Sequence, residues 1–118
     1  MHDAIQIRGV RAMGVHGVLP EEQERAQPFE VDLDLTVDLK SAGASDRLED
    51  TVDYGGVIDA VAACVTGESY ALLERLADRI AAVALGDERV SSVTVTVRKL
   101  EPPVAAALDH VGVRITRP

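Results

Sequence analysis

Lysine, aromatic residues and cysteine are all scarce in this 118-residue chain, and each scarcity rules something out. Cys64 is the single cysteine, so no internal disulfide can form; it lies in an apolar helical pattern, and cytoplasmic residence is the default expectation. Phe29, Tyr54 and Tyr70 are the only aromatics, too few for a base-stacking platform along single-stranded nucleic acid. The 12 basic residues face 20 acidic ones, and a net charge of -8 without a local Lys/Arg cluster opposes a phosphate backbone, so no nucleic-acid partner is expected. No apolar run approaches the roughly 18 residues of a membrane span, and no membrane partner is expected. The opening Met1-His2-Asp3-Ala4-Ile5 has no basic stretch followed by an apolar one, so no export signal is read there. No repeat, low-complexity tract or linker interrupts the chain.

The 47% apolar content supports one globular domain over residues 1–118, with a single core. Ile5 and Ile7 alternate with polar neighbours until the phase slips at Gly9 and passes to Val10 and Ala12, the signature of a bulged first strand. From Phe29 to Lys40 the alternation is complete, with Phe29, Val31, Leu33, Leu35, Val37 and Leu39 on one face and four carboxylates among the residues of the other. Two helical patterns follow. Asp53 can cap the first, in which Val57, Ile58, Val61, Cys64 and Val65 recur until Gly67; the second runs from about Ala71 to Gly86. Strands over Val93–Lys99 and Val111–Ile115 close the chain. The expected class is α+β, β-β-α-α-β-β, with both helices on one face of a four-stranded antiparallel sheet. Its other face, bearing the carboxylates, needs water or a partner.

Two stretches, Gly14–Gln27 and Ser41–Val52, are longer than a tight turn requires and read as irregular segments able to bind a ligand. The next feature is one of the two lysines. In Val93-Thr94-Val95-Thr96-Val97-Arg98-Lys99 the apolar residues are odd-numbered, so Lys99 shares the inward face with three valines. An ammonium retained in a chain that uses arginine almost everywhere is a candidate for proton transfer, because it loses its proton more readily than a guanidinium when desolvated. A strand-end lysine reaching to water over an apolar stem has the same pattern, and the residues alone leave both readings open. Glu74, flanked by Leu73 and Leu76 in the first turn of the second helix, has Asp78 as its i+4 neighbour and so lacks a helical ion pair. It suits either the helix dipole or the paired N–H edge of an amidine-like ligand.

Gly14-Val15-His16-Gly17 with Glu22, Asp50-Thr51-Val52-Asp53-Tyr54-Gly55, Leu72-Leu73-Glu74 and Lys99-Leu100-Glu101-Pro102-Pro103 together resemble the dihydroneopterin aldolase family of bacterial folate synthesis. The likeness covers nearly the whole chain in order. It implies a tunnelling fold, in which tetrameric rings form a β-barrel and two rings stack into a homo-octamer. It also implies a pterin substrate, 7,8-dihydroneopterin, cleaved to 6-hydroxymethyl-7,8-dihydropterin and glycolaldehyde without metal, Schiff base or cofactor, with epimerisation as a side activity. In that reading Glu74 holds the pterin 2-amino and N3 edge, backbone near Leu73 and Val52 assists, Tyr54 enters from a neighbouring subunit, and Glu22 and Lys99 complete the catalytic group. The position of Glu22 rests on its six-residue distance from His16.

Two departures stand out. Val104-Ala105-Ala106-Ala107-Leu108 replaces a segment in which relatives often carry glycine and a polar or aromatic residue, and Asp53 stands where some relatives have histidine. The three histidines, His2, His16 and His110, include no closely spaced pair, so no metal site is expected and His16 is read as a brace for its glycine-flanked loop. The alternatives are an epimerase acting on the triphosphate form, for which Arg25 is the only cation in the first loop, and a non-catalytic pterin-binding oligomer.

Overall fold

A computed structural model of the chain describes residues 2–118; Met1, the first residue of the expected domain, lies outside the described residues. Nine elements follow one another: β1 (Ala4–Gly14), α1 (Pro20–Glu24), β2 (Gln27–Thr36), α2 (Lys40–Ser45), a 3-10 turn (Leu48–Asp50), α3 (Tyr54–Gly67), α4 (Leu73–Ala84), β3 (Ser92–Lys99) and β4 (Val111–Arg117). The strands form one antiparallel sheet in the order β1-β2-β3-β4, with β1 and β4 as open edges. Helix α3 packs on β1, and α4 packs on β3, β4 and α3, which puts both long helices on one face as the pattern predicts. No helix of the described residues is long and apolar enough to cross a membrane.

Strand alternation decides the core. Phe29, Leu33, Leu35, Val93, Val95 and Val97 are fully buried, and they meet Val61, Leu76, Ala77 and Ile80 from the helices. The β1 register shifts between Ile7 and Val10, with Gly9 at φ 70, a left-handed conformation that glycine adopts without a Cβ penalty. The freed Gly9 N–H donates to Asp32 Oδ1 at 2.8 Å.

The polar face neutralises most of its own charge, which the sequence pattern alone does not show. Arg8 pairs with Asp34 at 2.7 Å, Arg11 with Glu30 at 3.0 Å, and Arg98 with Asp32 at 2.8 Å and Glu30 at 3.1 Å. Each pair crosses between neighbouring strands, so register brings the partners together. Burial pushes the Asp32 carboxyl up, but the Gly9 N–H and the Arg98 guanidinium outweigh it and hold the group below its usual range.

Some boundaries differ from the sequence pattern. β2 ends at Thr36, because the β1 and β3 ladders both run out there, at Ala4 and Ser92. Beyond it the Asp3 and Asp38 carboxylates accept the Leu39 and Lys40 N–H groups, and the chain turns into α2 instead of extending to Lys40. α4 begins at Leu73, two residues after the expected start, since the Tyr70 backbone is already bonded to His16 and Gly17. Both stretches expected to be irregular contain short helices, α1 in one and α2 with the 3-10 turn in the other.

Candidate active site

Lys99 is the last residue of β3 and lies opposite Phe29 in the ladder, so its side chain continues the inward row of Val93, Val95 and Val97. It is only 13% exposed, and its Nζ donates to Glu22 Oε2 at 2.7 Å. Glu22 is itself 6% exposed, on the inner side of α1. Its two acidic neighbours, Glu21 and Glu24, point to solvent. An ion pair this deep persists only when the remaining lone pairs are also bonded. Gln27 Nε2 donates to Glu22 Oε2 at 3.0 Å, and the Leu19 N–H donates to Oε1 at 3.4 Å. Burial pushes the Glu22 carboxyl up; the Lys99 ammonium, the Gln27 amide and the Leu19 N–H together prevail and leave it lower than 4.5. At neutral pH the site therefore holds a desolvated carboxylate bonded to an amine, with a cavity of about 190 Å³ beside it lined in part by Glu22, Gln27, Glu101 and Pro103. A larger hollow, about 330 Å³, opens at the other end of β2 around Thr36 and Asp38; its lining holds no lysine or arginine.

Glycine makes this packing possible. A Cβ on Gly17 would sit 2.3 Å from Glu22 Cδ and 2.5 Å from its Oε1, so the carboxylate lies directly against bare backbone. Gly17→Ala is expected to displace Glu22 from Lys99 and lower turnover about tenfold or more while the circular dichroism spectrum stays native. Steady-state rates normalised to folded protein check this.

His16 braces the loop, as its flanking glycines suggest. The ring is buried; Tyr70 N–H donates to Nδ1 at 3.1 Å, so Nε2 carries the proton and donates to the Val65 carbonyl at 2.8 Å. Both ring nitrogens are thereby occupied by backbone groups and are not available to a metal. Burial is the main reason the imidazole titrates below its usual 6.5. A folded value lower than the unfolded one means that the unfolded chain binds more protons between the two. Stability is thus complete above about 6.5, begins to fall as pH drops through that value, and reaches its lower level once pH passes the folded value. Urea melts at pH 7.5 and 5.5 are expected to show this loss in the native chain and a smaller one in His16→Asn. The loss tied to Glu22 belongs to a more acidic window, as pH falls from 4.5 through its lowered folded value.

The other expected site residues do not all converge within the one chain. Leu73 is partly buried at the start of α4, and Glu74 beside it is exposed, while the next residue, Arg75, pairs with Asp78 at 3.8 Å on the same helix. Val52 is fully buried, which leaves its backbone as the part able to reach a ligand. Tyr54 opens α3 and is 60% exposed; Asp53 caps the helix there by accepting from the Gly55 N–H at 3.1 Å. Tyr54 lies eleven positions before Val65, whose carbonyl binds His16, about 16 Å along a helix axis at ~1.5 Å per residue. Gln27 carries no signal in the sequence, because an amide at a strand start has no pattern that marks it.

A family profile described as dihydroneopterin aldolase matches residues 5–116. The chain is 45% identical over 115 residues to the dihydroneopterin aldolase of Streptomyces coelicolor, covering 98% of this chain and 97% of that one. Among solved structures, the Escherichia coli dihydroneopterin aldolase in complex with neopterin superposes with a TM-score of 0.90 at 28% identity, over 98% of this chain and 99% of that one. The Burkholderia thailendensis enzyme bound to guanine gives a TM-score of 0.78 at 30% identity, over 98% of this chain and 90% of that one.

Proposed function

The chain belongs to the dihydroneopterin aldolase family and is an aldolase, a carbon–carbon lyase; from that premise we propose how its own residues carry the reaction. The observation that carries the reading is the buried Lys99–Glu22 pair, a desolvated proton donor and acceptor 2.7 Å apart beside a cavity. In 7,8-dihydroneopterin the C6=N5 imine is already an electron sink. Removing the proton of the hydroxyl on the second side-chain carbon breaks its bond to the first, and the electron pair moves through C6 to N5. Glycolaldehyde leaves, N5 takes a proton, and return of the imine puts a solvent-derived proton on the first side-chain carbon, giving 6-hydroxymethyl-7,8-dihydropterin. These steps need proton management rather than a covalent amine intermediate. Lys99 acts through bound water on N5 and the hydroxyl, and Glu22 holds its ammonium in place.

Glu74 anchors the 2-amino and N3 edge. The E. coli relative binds neopterin and the Burkholderia relative guanine; both ligands carry that same pair of N–H donors, which a carboxylate accepts side by side. Backbone groups near Leu73 and Val52 complete the pterin slot. Tyr54 comes from a neighbouring copy, because α3 carries it away from Glu22 within one chain. Open edges at β1 and β4 suit pairing between copies into a ring, and two rings make the octamer. Exposed Tyr54, Val18 and Leu72 then gain cover. A cytoplasmic setting fits the lone, buried Cys64.

Mixing purified protein with 7,8-dihydroneopterin tests this reading. Glycolaldehyde and 6-hydroxymethyl-7,8-dihydropterin are expected in equal amounts. Tight pterin binding with no glycolaldehyde at any pH would establish a non-catalytic binding module instead.

A further inference from the structure

The two halves of the site hang from separate parts of the chain, Glu22 and Lys99 on α1 and the end of β3, Glu74 at the start of α4. Within one protomer they are joined through the backbone of Tyr70, three residues before α4 begins. Its N–H donates to His16 Nδ1 at 3.1 Å, and its carbonyl accepts from the Gly17 N–H at 2.9 Å. His16 reaches the Glu22 side as well. Its carbonyl accepts from Gln27 Nε2 at 3.3 Å, the same amide that holds Glu22 at 3.0 Å.

The ring has no freedom to drift. It is 1% exposed, stacks on Tyr70 with centroids 5.9 Å apart, and meets Phe29 edge-on at 5.1 Å. Phe29 is the residue opposite Lys99 in the β2–β3 ladder. The chain gives up a side chain to make room: a Cβ on Gly14 would lie 2.5 Å from the Val65 carbonyl oxygen and 2.8 Å from His16 Cδ2. A buried imidazole whose two nitrogens bond two separate segments does more than fill space, since an apolar ring of similar size would leave the Tyr70 N–H without an acceptor.

We propose that His16 is a positioning residue for the cleavage: by tying the Glu22 loop to the segment that opens α4, it sets the distance between the Glu22–Lys99 pair and the Glu74 anchor. The proposal rests on the reading that both halves act on the same pterin. Substrate held by Glu74 is then presented to the acid/base pair in register, and loosening the tie costs the chemical step more than it costs binding.

Two near-isosteric variants separate the bonds. His16→Asn retains an acceptor near the Nδ1 position for Tyr70 but cannot reach Val65, whereas His16→Gln reaches Val65 and leaves Tyr70 N–H unpaired. His16→Gln is expected to lower kcat at least tenfold with the neopterin Kd within about threefold of native, and His16→Asn to restore kcat to within about threefold. A purely structural role predicts lowered melting temperatures but native kcat per folded molecule in both variants, and that result overturns the proposal. An active native chain with native-like His16→Gln kcat defeats the proposal alone; a native chain that releases no glycolaldehyde defeats the functional reading as well.

Discussion

Lys99→Ala is expected to reduce turnover at least a hundredfold while neopterin still binds within about threefold of the native Kd, because general acid–base catalysis by one positioned group contributes about 10²–10⁴-fold. The separation follows from where the lysine sits. Its Nζ lies beside Glu22, 77 residues away in sequence, and Glu74, the proposed pterin anchor, is on another element. The variant also leaves Glu22 as an unpaired buried charge, a change that costs about 3 kcal/mol or more when a buried pair is broken. Rates are therefore to be expressed per neopterin-binding site, which removes any unfolded fraction. Lys99→Arg is the sharper control: it keeps a cation for Glu22 but replaces a titratable amine with a fixed, planar guanidinium. Folding is expected to recover and turnover is not. Recovery of both would assign Lys99 a purely structural pairing role.

Glu74→Ala is expected to act on the opposite parameter. Two charge-assisted hydrogen bonds to the pterin edge are worth about 3 kcal/mol together, so Kd for neopterin rises about a hundredfold or more. Because Glu74 is exposed in the free protomer, its removal is expected to change the unfolding free energy by less than about 0.5 kcal/mol. Calorimetric titration with neopterin alongside urea melts checks both halves of this expectation. Unchanged affinity would move the anchor to another residue.

The sheet and its inward face were legible because strand side chains alternate, and parity carried the pattern through Val93, Val95 and Val97 to Lys99. The Gly9 bulge was legible for the same reason, since a phase slip needs an extra residue. Other features depend on contacts that local periodicity does not record. Glu21, Glu22 and Glu24 read alike as solvated charge, yet the short α1 turns Glu22 inward onto a lysine from the far end of the chain. The family resemblance implies only that both residues belong to one catalytic group, with Glu22 placed by its distance from His16; their direct ion pair emerges from the fold. Arg8, Arg11 and Arg98 find their carboxylates through strand register. The late start of α4 has a similar origin, because bonds from His16 and Gly17 occupy the Tyr70 backbone before a helix can claim it. Gln27 had no sequence signal at all; only the fold puts its amide on Glu22.

The most direct test is to run the reaction in deuterium oxide with the native chain and with Lys99→Ala. The native chain is predicted to release one glycolaldehyde per pterin product and to place a single deuterium on the hydroxymethyl carbon, with the variant at least a hundredfold slower. Product lacking solvent deuterium, or a variant rate within a few-fold of native, would contradict proton transfer by the Lys99–Glu22 pair.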